Sequence, residues 1–322
     1  MQIPVFCYHN AIVPGLERDL AFLADNGYRT LLASELVDVL TGAAPPLDNA
    51  VALTFDDGLL SLISVGLPLL ERYDARATVF AITGLVPEGR TLPEGAGDEY
   101  RLMGWDDLRA LSDSGRVEIG SHGHRHNPVH VPEGARSGGG ADDRGRSPVT
   151  ANVGPPSTRA AVVNVAEYAR LYDVPLPYTS ACDAETIRAA DGTPTHASLP
   201  LFAAETLLLD GRPTSAREAT LVDLHASRAA LGDRLGIERA HLCLPYGAGN
   251  EAIPELAHEA GFESIFWTRR ADREANHPGD DPFRIVRRKH DFVRRLPGRG
   301  RRSLVDLYVA KVRRRLTGDP WE

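Results

Sequence analysis

The sequence predicts an α/β fold built from parallel βα units, interrupted by a large insertion. Three observations carry this. From Pro4 to Gly120, short apolar and β-branched runs alternate with stretches at helical spacing. The same alternation resumes from Ala216 to Val286. Between them, residues 129–215 lose the pattern and include turn formers such as Gly138-Gly139-Gly140. Strands separated by helices suit either a barrel or a doubly wound sheet.

Pro4 to Tyr8 reads as the first strand and ends at His9. Leu16, Leu20 and Leu23 repeat at helical spacing, so Leu16 to Asn26 reads as a helix stopped by Gly27. Tyr28 to Leu32 is a short strand, and Ser34 caps a helix running to Leu40. Val51 to Phe55 is a buried strand, followed by a helix from Leu59 to Tyr73 that Gly66 and Pro68 should kink. Ala77 to Ile82 is a strand, 84–100 a loop, Trp105 to Ser112 a helix and Val117 to Gly120 a strand. Ala161 to Tyr172 reads as a helix inside the insertion. After it come a helix from Ala216 to Leu235, a strand from His241 to Leu244 and a helix from Glu251 to Ala260. Strands at Ser264 to Trp267 and Phe283 to Val286 follow, then a terminal helix from Arg301 to Leu316. The chain thus divides into a discontinuous body, 1–128 and 216–290, a 129–215 insertion that reads as a lid or partner surface, and a basic extension, 291–322.

At 322 residues, with 43% hydrophobic and 25% charged residues, the chain has the make-up of a soluble globular protein. No run approaches the ~18 apolar residues that span a bilayer. The start, Met1-Gln2-Ile3-Pro4, lacks the features of a secretory signal, so the expectation is a cytoplasmic protein. Cys7, Cys182 and Cys243 are odd in number and far apart, which argues against a disulfide framework or a zinc ribbon. Cys7 and Cys243 lie in strand-like runs and read as small buried hydrophobes. From Arg284 to Arg315 there are thirteen Lys or Arg against two Asp. That segment carries +11 while the whole chain is −8, so the remainder is −19. A cationic end on an acidic body points to anionic lipid head groups or to internal pairing, and nucleic acid is not expected because no reading motif appears.

Candidate chemistry gathers at three strand ends. Asp56 and Asp57 follow the Val51 strand, and alternation along extended backbone turns neighbouring side chains apart. His122 and His126 follow the Val117 strand; on a helical turn their spacing sets both rings on one side, with His124 elsewhere. Pro245-Tyr246-Gly247 follows the His241 strand. In parallel βα folds such ends converge on one site. One carboxylate and two imidazoles leave a coordination position open for water, the composition of a catalytic zinc site, and the second carboxylate remains as a base.

Thr54-Phe55-Asp56-Asp57-Gly58, then Ser121-His122 with His126 and Pro128, then Pro245-Tyr246-Gly247, resemble the polysaccharide deacetylase (NodB-homology) family. Pro4-Val5-Phe6-Cys7-Tyr8-His9 and Asp281-Pro282-Phe283-Arg284-Ile285-Val286 resemble its poly-N-acetylglucosamine deacetylase branch. The resemblance spans roughly 3–128 and 216–290. It implies a deformed (β/α) barrel of about seven parallel strands and metal-dependent removal of an acetyl group from an N-acetylated sugar. It implies Asp57, His122 and His126 as ligands of a divalent metal, zinc by donor type. Asp56 becomes the general base, and Tyr246 lies beside the metal with its backbone N–H on the oxyanion.

This chain departs from the family pattern in three places. Cys243 stands where many members carry an Arg that orients the catalytic Asp, and Arg284 or Arg287 is the candidate replacement. The late histidine that usually acts as general acid has His290 as its candidate, with His277 less suited and His9 placed to line the same mouth. Gly123 replaces a residue that often adds a hydrogen bond near the metal. Two other readings compete with an active deacetylase. One is a carbohydrate-binding pseudoenzyme, and the other is a metal-dependent hydrolase of a different non-peptide C–N bond.

Overall fold

A computed structural model describes residues 2–91, 101–126, 128–131, 197–209, 212–268, 270, 272–273 and 275–309. In chain order the strands of its main sheet are β1 (Val5–Tyr8), β2 (Arg29–Leu31), β3 (Ala50–Phe55), β4 (Ala77–Ala81) and β5 (Val117–Ser121). Two pairs of short strands follow: β6 (Pro128–Val131), β7 (Ala197–Pro200), β8 (Thr206–Leu209) and β9 (Arg212–Ser215). The main sheet resumes with β10 (Ala240–Cys243), β11 (Phe262–Trp267), β12 (Ile285–Val286) and β13 (Arg288–Lys289). The helices are α1 (Gly15–Asp25), α2 (Ala33–Thr41), α3 (Leu67–Arg72), α4 (Trp105–Asp113), α5 (Arg217–Leu235) and α6 (Ile253–Glu259).

The main sheet runs β12-β11-β10-β5-β4-β3-β1-β13, and its pairings are parallel. Its two outer members, β12 and β13, are one stretch of chain broken only at Arg287. Ile285 and Val286 pair with β11, while Arg288 and Lys289 pair with β1. One seventh strand therefore bridges both edges, and the sheet becomes a nearly closed (β/α) barrel. β2 pairs with the first half of β3, through Ala50 to Ala52, and β4 pairs with its last two residues. The deformation expected of the barrel lies here, where two strands share one flank of β3.

Alternation along each strand separates two cores. Phe6, Tyr8, Val51, Leu53, Phe55, Val79 and Ile265 face the surrounding helices. Val5, Ala50, Ala52, Phe80, Cys243, Phe266 and Ile285 fill the barrel interior with residues of α2. Continuing the inward parity of β3 carries Thr54 and then Asp56 to the interior at its carboxyl end. Phe80 and Phe266 pack at a tilt across the interior, ring centroids 4.9 Å apart and planes at 51°. A Cβ on Gly120 would meet the Phe80 ring at 2.6 Å, so only glycine leaves room for that pair.

The floor is polar and tied to α2. Ala33 N–H donates to Thr78 Oγ1 (2.9 Å), and Ser34 N–H donates to Glu118 Oε2 (2.9 Å). Ser34 thus sits inside the first turn and binds the barrel rather than capping its own helix. His241, buried, lies between Ser264 Oγ (2.8 Å) and Glu118 Oε1 (3.3 Å). A carboxylate at a helix N-terminus is favourably placed.

Other elements differ from expectation mainly at their ends. The helix expected from Leu59 to Tyr73 is a π-turn, Leu62–Gly66, running into α3, with Pro68 in the first turn where a missing N–H costs least. Within 129–215, the described residues form two antiparallel pairs, β6 with β7 and β8 with β9. Leu201, Phe202, Ala203 and Ala204 are buried, so this end of the insertion packs into the body. The helix expected at Ala161 to Tyr172 lies outside the described residues.

Glu118→Ala strands the Ser34 donors and removes the carboxylate beside buried His241, and should lower unfolding free energy by about 2 kcal/mol at neutral pH. Burial raises the Glu118 carboxyl, but His241 and Ser34 outweigh it and the folded-state value is lowered. Its contribution is therefore full above the ordinary glutamate range and fades as pH falls through the lowered folded value. Urea titrations of wild type and variant should show a gap that closes in acid; no gap at neutral pH would contradict this reading.

Candidate active site

Asp56 leaves β3 pointing into the barrel, 3% exposed, and meets Arg287, also 3% exposed. The contact is bidentate: Arg287 Nη1 to Asp56 Oδ1 at 2.6 Å and Nη2 to Oδ2 at 2.9 Å. Nη1 also donates to Thr54 Oγ1 at 3.2 Å. Two thiols complete the surround, Cys7 Sγ at 3.4 Å from Oδ2 and Cys243 Sγ at 3.5 Å from Oδ1. Burial would raise the Asp56 carboxyl; the guanidinium overrides it and holds the group well below the usual carboxylate range. Burial pushes both thiols up, so they stay protonated donors rather than nucleophiles.

Asp57 turns the other way because its φ is +71°. Its Oδ1 lies 3.5 Å from His122 Nε2 and 3.8 Å from His126 Nε2. One ligand atom from each of these residues falls within 4.8 Å of the other two. Tetrahedral zinc with bonds near 2.0–2.1 Å separates its donors by roughly 3.3 Å, so the trio fits such an ion with small adjustment. Burial pushes His122 down to about 4 and His126 down to about 3, which leaves both rings neutral, the form that ligates. His122 Nδ1 lies 3.0 Å from the Cys243 carbonyl, a contact that makes Nδ1 the donor and frees Nε2. Asp56, His122 and Cys243 also cluster, but Arg287 occupies that carboxylate and the thiol keeps its proton.

The two ligand histidines converge through a loop rather than a helical turn. Gly123 has φ +78° and His126 φ +53°, and the His122 and His126 rings are 4.7 Å apart. α5 holds this loop from behind. Asp223, 1% exposed, accepts the His124 N–H at 2.7 Å and the Arg125 N–H at 3.1 Å. Ser227 bonds Ser121 Oγ (2.6 Å) and Thr83 Oγ1 (2.9 Å). A Cβ on Gly123 would press on Asp223 and Phe202 at 3.3 Å, so its glycine is required by backbone and neighbours rather than being a lost hydrogen bond. His124 turns away and lies 3.1 Å from Thr83 Oγ1.

Tyr246 stands on the far side of His126, ring centroids 4.7 Å apart. Its φ of +58° swings its peptide out of the strand course. The next residue has φ +66° and its Cβ would collide with Thr268, which only glycine avoids. Burial raises the Tyr246 phenol to about 12, so it acts as a neutral group. His9 follows β1. His290 follows β13, stacks on Tyr8 at 4.7 Å and has Nδ1 3.3 Å from the Cys7 carbonyl. Because β1 and β13 are paired, the two histidines end neighbouring strands.

The structure therefore gathers Asp56, Asp57, His122, His126 and Tyr246 at one barrel end. It selects Arg287 over Arg284, which pairs instead with Asp272 and Asp281. Asp223, Ser227 and the two thiols carried no motif. A period-two reading of β1 and β10 would have turned both cysteines inward, whereas Asp223 gave no local signal.

The fold and site define a (β/α) barrel in which a triad suited to holding a metal ion lies beside a buried carboxylate. Residues 43–148 match the family model of polysaccharide deacetylases. Over 89 residues it is 35% identical to YxkH of Bacillus subtilis, named as a polysaccharide deacetylase, covering 25% of this chain and 32% of that one. Over 111 residues it is 28% identical to the poly-β-1,6-N-acetyl-D-glucosamine N-deacetylase of Escherichia coli K12, covering 33% of this chain and 16% of that one. The matched segments thus span a third or less of these relatives. A solved structure of a de-N-acetylase from Aggregatibacter actinomycetemcomitans has the same fold, with TM-score 0.58 and 18% identity over 90% of this chain and 94% of that one.

Asp223→Ala should loosen the His126 loop and weaken zinc affinity roughly ten- to a hundredfold. Competition against a chromogenic chelator measures it, and an unchanged affinity in a folded variant would remove Asp223 from the site.

Proposed function

We propose that this chain is a metal-dependent hydrolase that removes the acetyl group from an N-acetylated sugar or polysaccharide precursor. The observation that carries it is the pairing of a fitted Asp57–His122–His126 triad with an ionised, arginine-held Asp56 at one barrel mouth. Deacetylation of a carbohydrate is what the family and the E. coli relative's name support. A bound divalent ion, zinc by donor type, would supply an acidified water and a polarised acetyl carbonyl.

The chain's own residues supply the remainder. Asp56 accepts the proton of the attacking water, held in place and ionised by Arg287, and that proton restores the imidazole that protonates the leaving amine. Asp223 and Ser227 hold the ligand loop, and the Cys243 carbonyl sets the His122 tautomer. The turned peptide at Tyr246 offers its N–H to the developing oxyanion. The leaving amine takes a proton from an imidazole, and His9 and His290 follow the paired strands β1 and β13. We assign this to His290, with His9 as the alternative. The reading as a binding-only protein rests on the missing arginine at Cys243 and on the uncertain general acid; on the first, Arg287 meets Asp56 instead, which supports catalysis.

Zinc-loaded protein should release acetate from a member of a panel of N-acetylated sugars and oligosaccharides, and Asp56→Asn should lose at least a hundredfold. His290→Ala should lose more than His9→Ala with metal retained. A larger loss in His9→Ala would move the acid role to His9, and release from non-sugar amides alone would favour another C–N hydrolase.

A further inference from the structure

Most of the exposed large hydrophobic side chains among the described residues crowd into one six-residue stretch. Leu304, Val305, Tyr308 and Val309 are 50%, 68%, 67% and 60% exposed, and only Val13 and Val222 are comparable elsewhere. Residues 304–309 are helical. Ser303 opens the helix in a reciprocal cap, accepting the Asp306 N–H at 3.1 Å while Asp306 accepts the Ser303 N–H at 2.7 Å. At 100° per residue the four exposed side chains cover an arc of about 140°. Leu307, 4% exposed, falls outside that arc and faces the body.

The stem that presents this face is fastened to the body. Arg299 N–H donates to Asn26 Oδ1 (2.6 Å), Asn26 returns a bond to the Arg299 carbonyl (3.1 Å), and Tyr28 Oη donates to the Pro297 carbonyl (2.8 Å). Arg302 N–H donates to the Arg294 carbonyl (2.7 Å). Arg294 pairs with Asp19, as internal pairing predicts. Beyond it, Arg295 and Arg301 donate to the backbone carbonyls of Arg302 and Arg295. Residues 299–315 carry seven Lys or Arg and one Asp.

We propose that this face docks on the surface of an anionic lipid bilayer. The exposed apolar area is on the order of a few hundred Å², below the ~800 Å² per partner of a standard protein interface. A lipid surface needs no such area, because each nearby cation adds about 1 kcal/mol. Arginine stems reach from apolar surroundings to head groups, and tyrosine suits the same boundary. A short apolar arc flanked by cations is the pattern of a helix lying in the interface.

The test uses the full chain with sedimenting vesicles of phosphatidylcholine, with and without phosphatidylglycerol. Wild type should pellet with the anionic vesicles at low salt, less with neutral ones, and less at high salt. Val305→Asp with Val309→Asp should cut the bound fraction at least tenfold, while acetate release from soluble substrate stays at the wild-type level. That readout separates this inference from the catalytic one. No pelleting of wild type at low salt would overturn it, as would equal pelleting of the double variant. A wild-type dimer that the double variant converts to monomer would assign the face to self-association instead.

Discussion

The bidentate contact between Arg287 and Asp56 is the constraint on which the rest depends. It needs Arg287 inside the barrel, and Arg287 is there because the chain at 285–289 spans from β11 to β1 and closes the ring. It needs Asp56 at the inward parity of β3, one residue before the turn that sends Asp57 to the histidines. Barrel closure and the orientation of the base are thus the same event. Breaking a buried ion pair of this kind generally costs about 3–5 kcal/mol, since the partner left behind stays buried and charged.

The interior around this pair is organised to tolerate charge. Thr54 and the two cysteine thiols share the Asp56–Arg287 layer, and the Glu118–His241–Ser264 set lies toward the floor. Between them Phe80 and Phe266 form an apolar plug made possible by Gly120. The fixed charges therefore act over short distances in a medium where water does not screen them. At the rim, α5 does for the metal loop what Arg287 does for Asp56, setting its geometry from outside the ligand set.

Much of this was legible in the sequence, because strands and their turn formers are local signals. The Val51 run, the two aspartates, His122 and His126 and the turn at Tyr246 each announced themselves within a few residues. The resemblance then implied the barrel, which alternation alone left open against a doubly wound sheet. What escaped was non-local. Nothing near Arg287 says that its strand pairs on both sides, and nothing near Asp223 points to a loop 98 to 99 positions away. The helical-turn reading of His122 and His126 missed because a spacing of four does not distinguish a helix from a loop with two residues at positive φ. The missing motif arginine at Cys243 left Arg284 and Arg287 as candidates in one dimension, and in three the guanidinium of Arg287 arrives from another strand.

That relocation is also the most direct point of attack. The Cys243 side chain already points at the same carboxylate oxygen, 3.5 Å from its sulfur. Acetate release should be measured for zinc-loaded Arg287→Ala and for Arg287→Ala combined with Cys243→Arg. A large loss is expected in the single variant and at least tenfold recovery in the double, with metal content equal in both. Wild-type turnover in Arg287→Ala would show that Asp56 needs no guanidinium, and the arrangement described here would then be structural rather than catalytic.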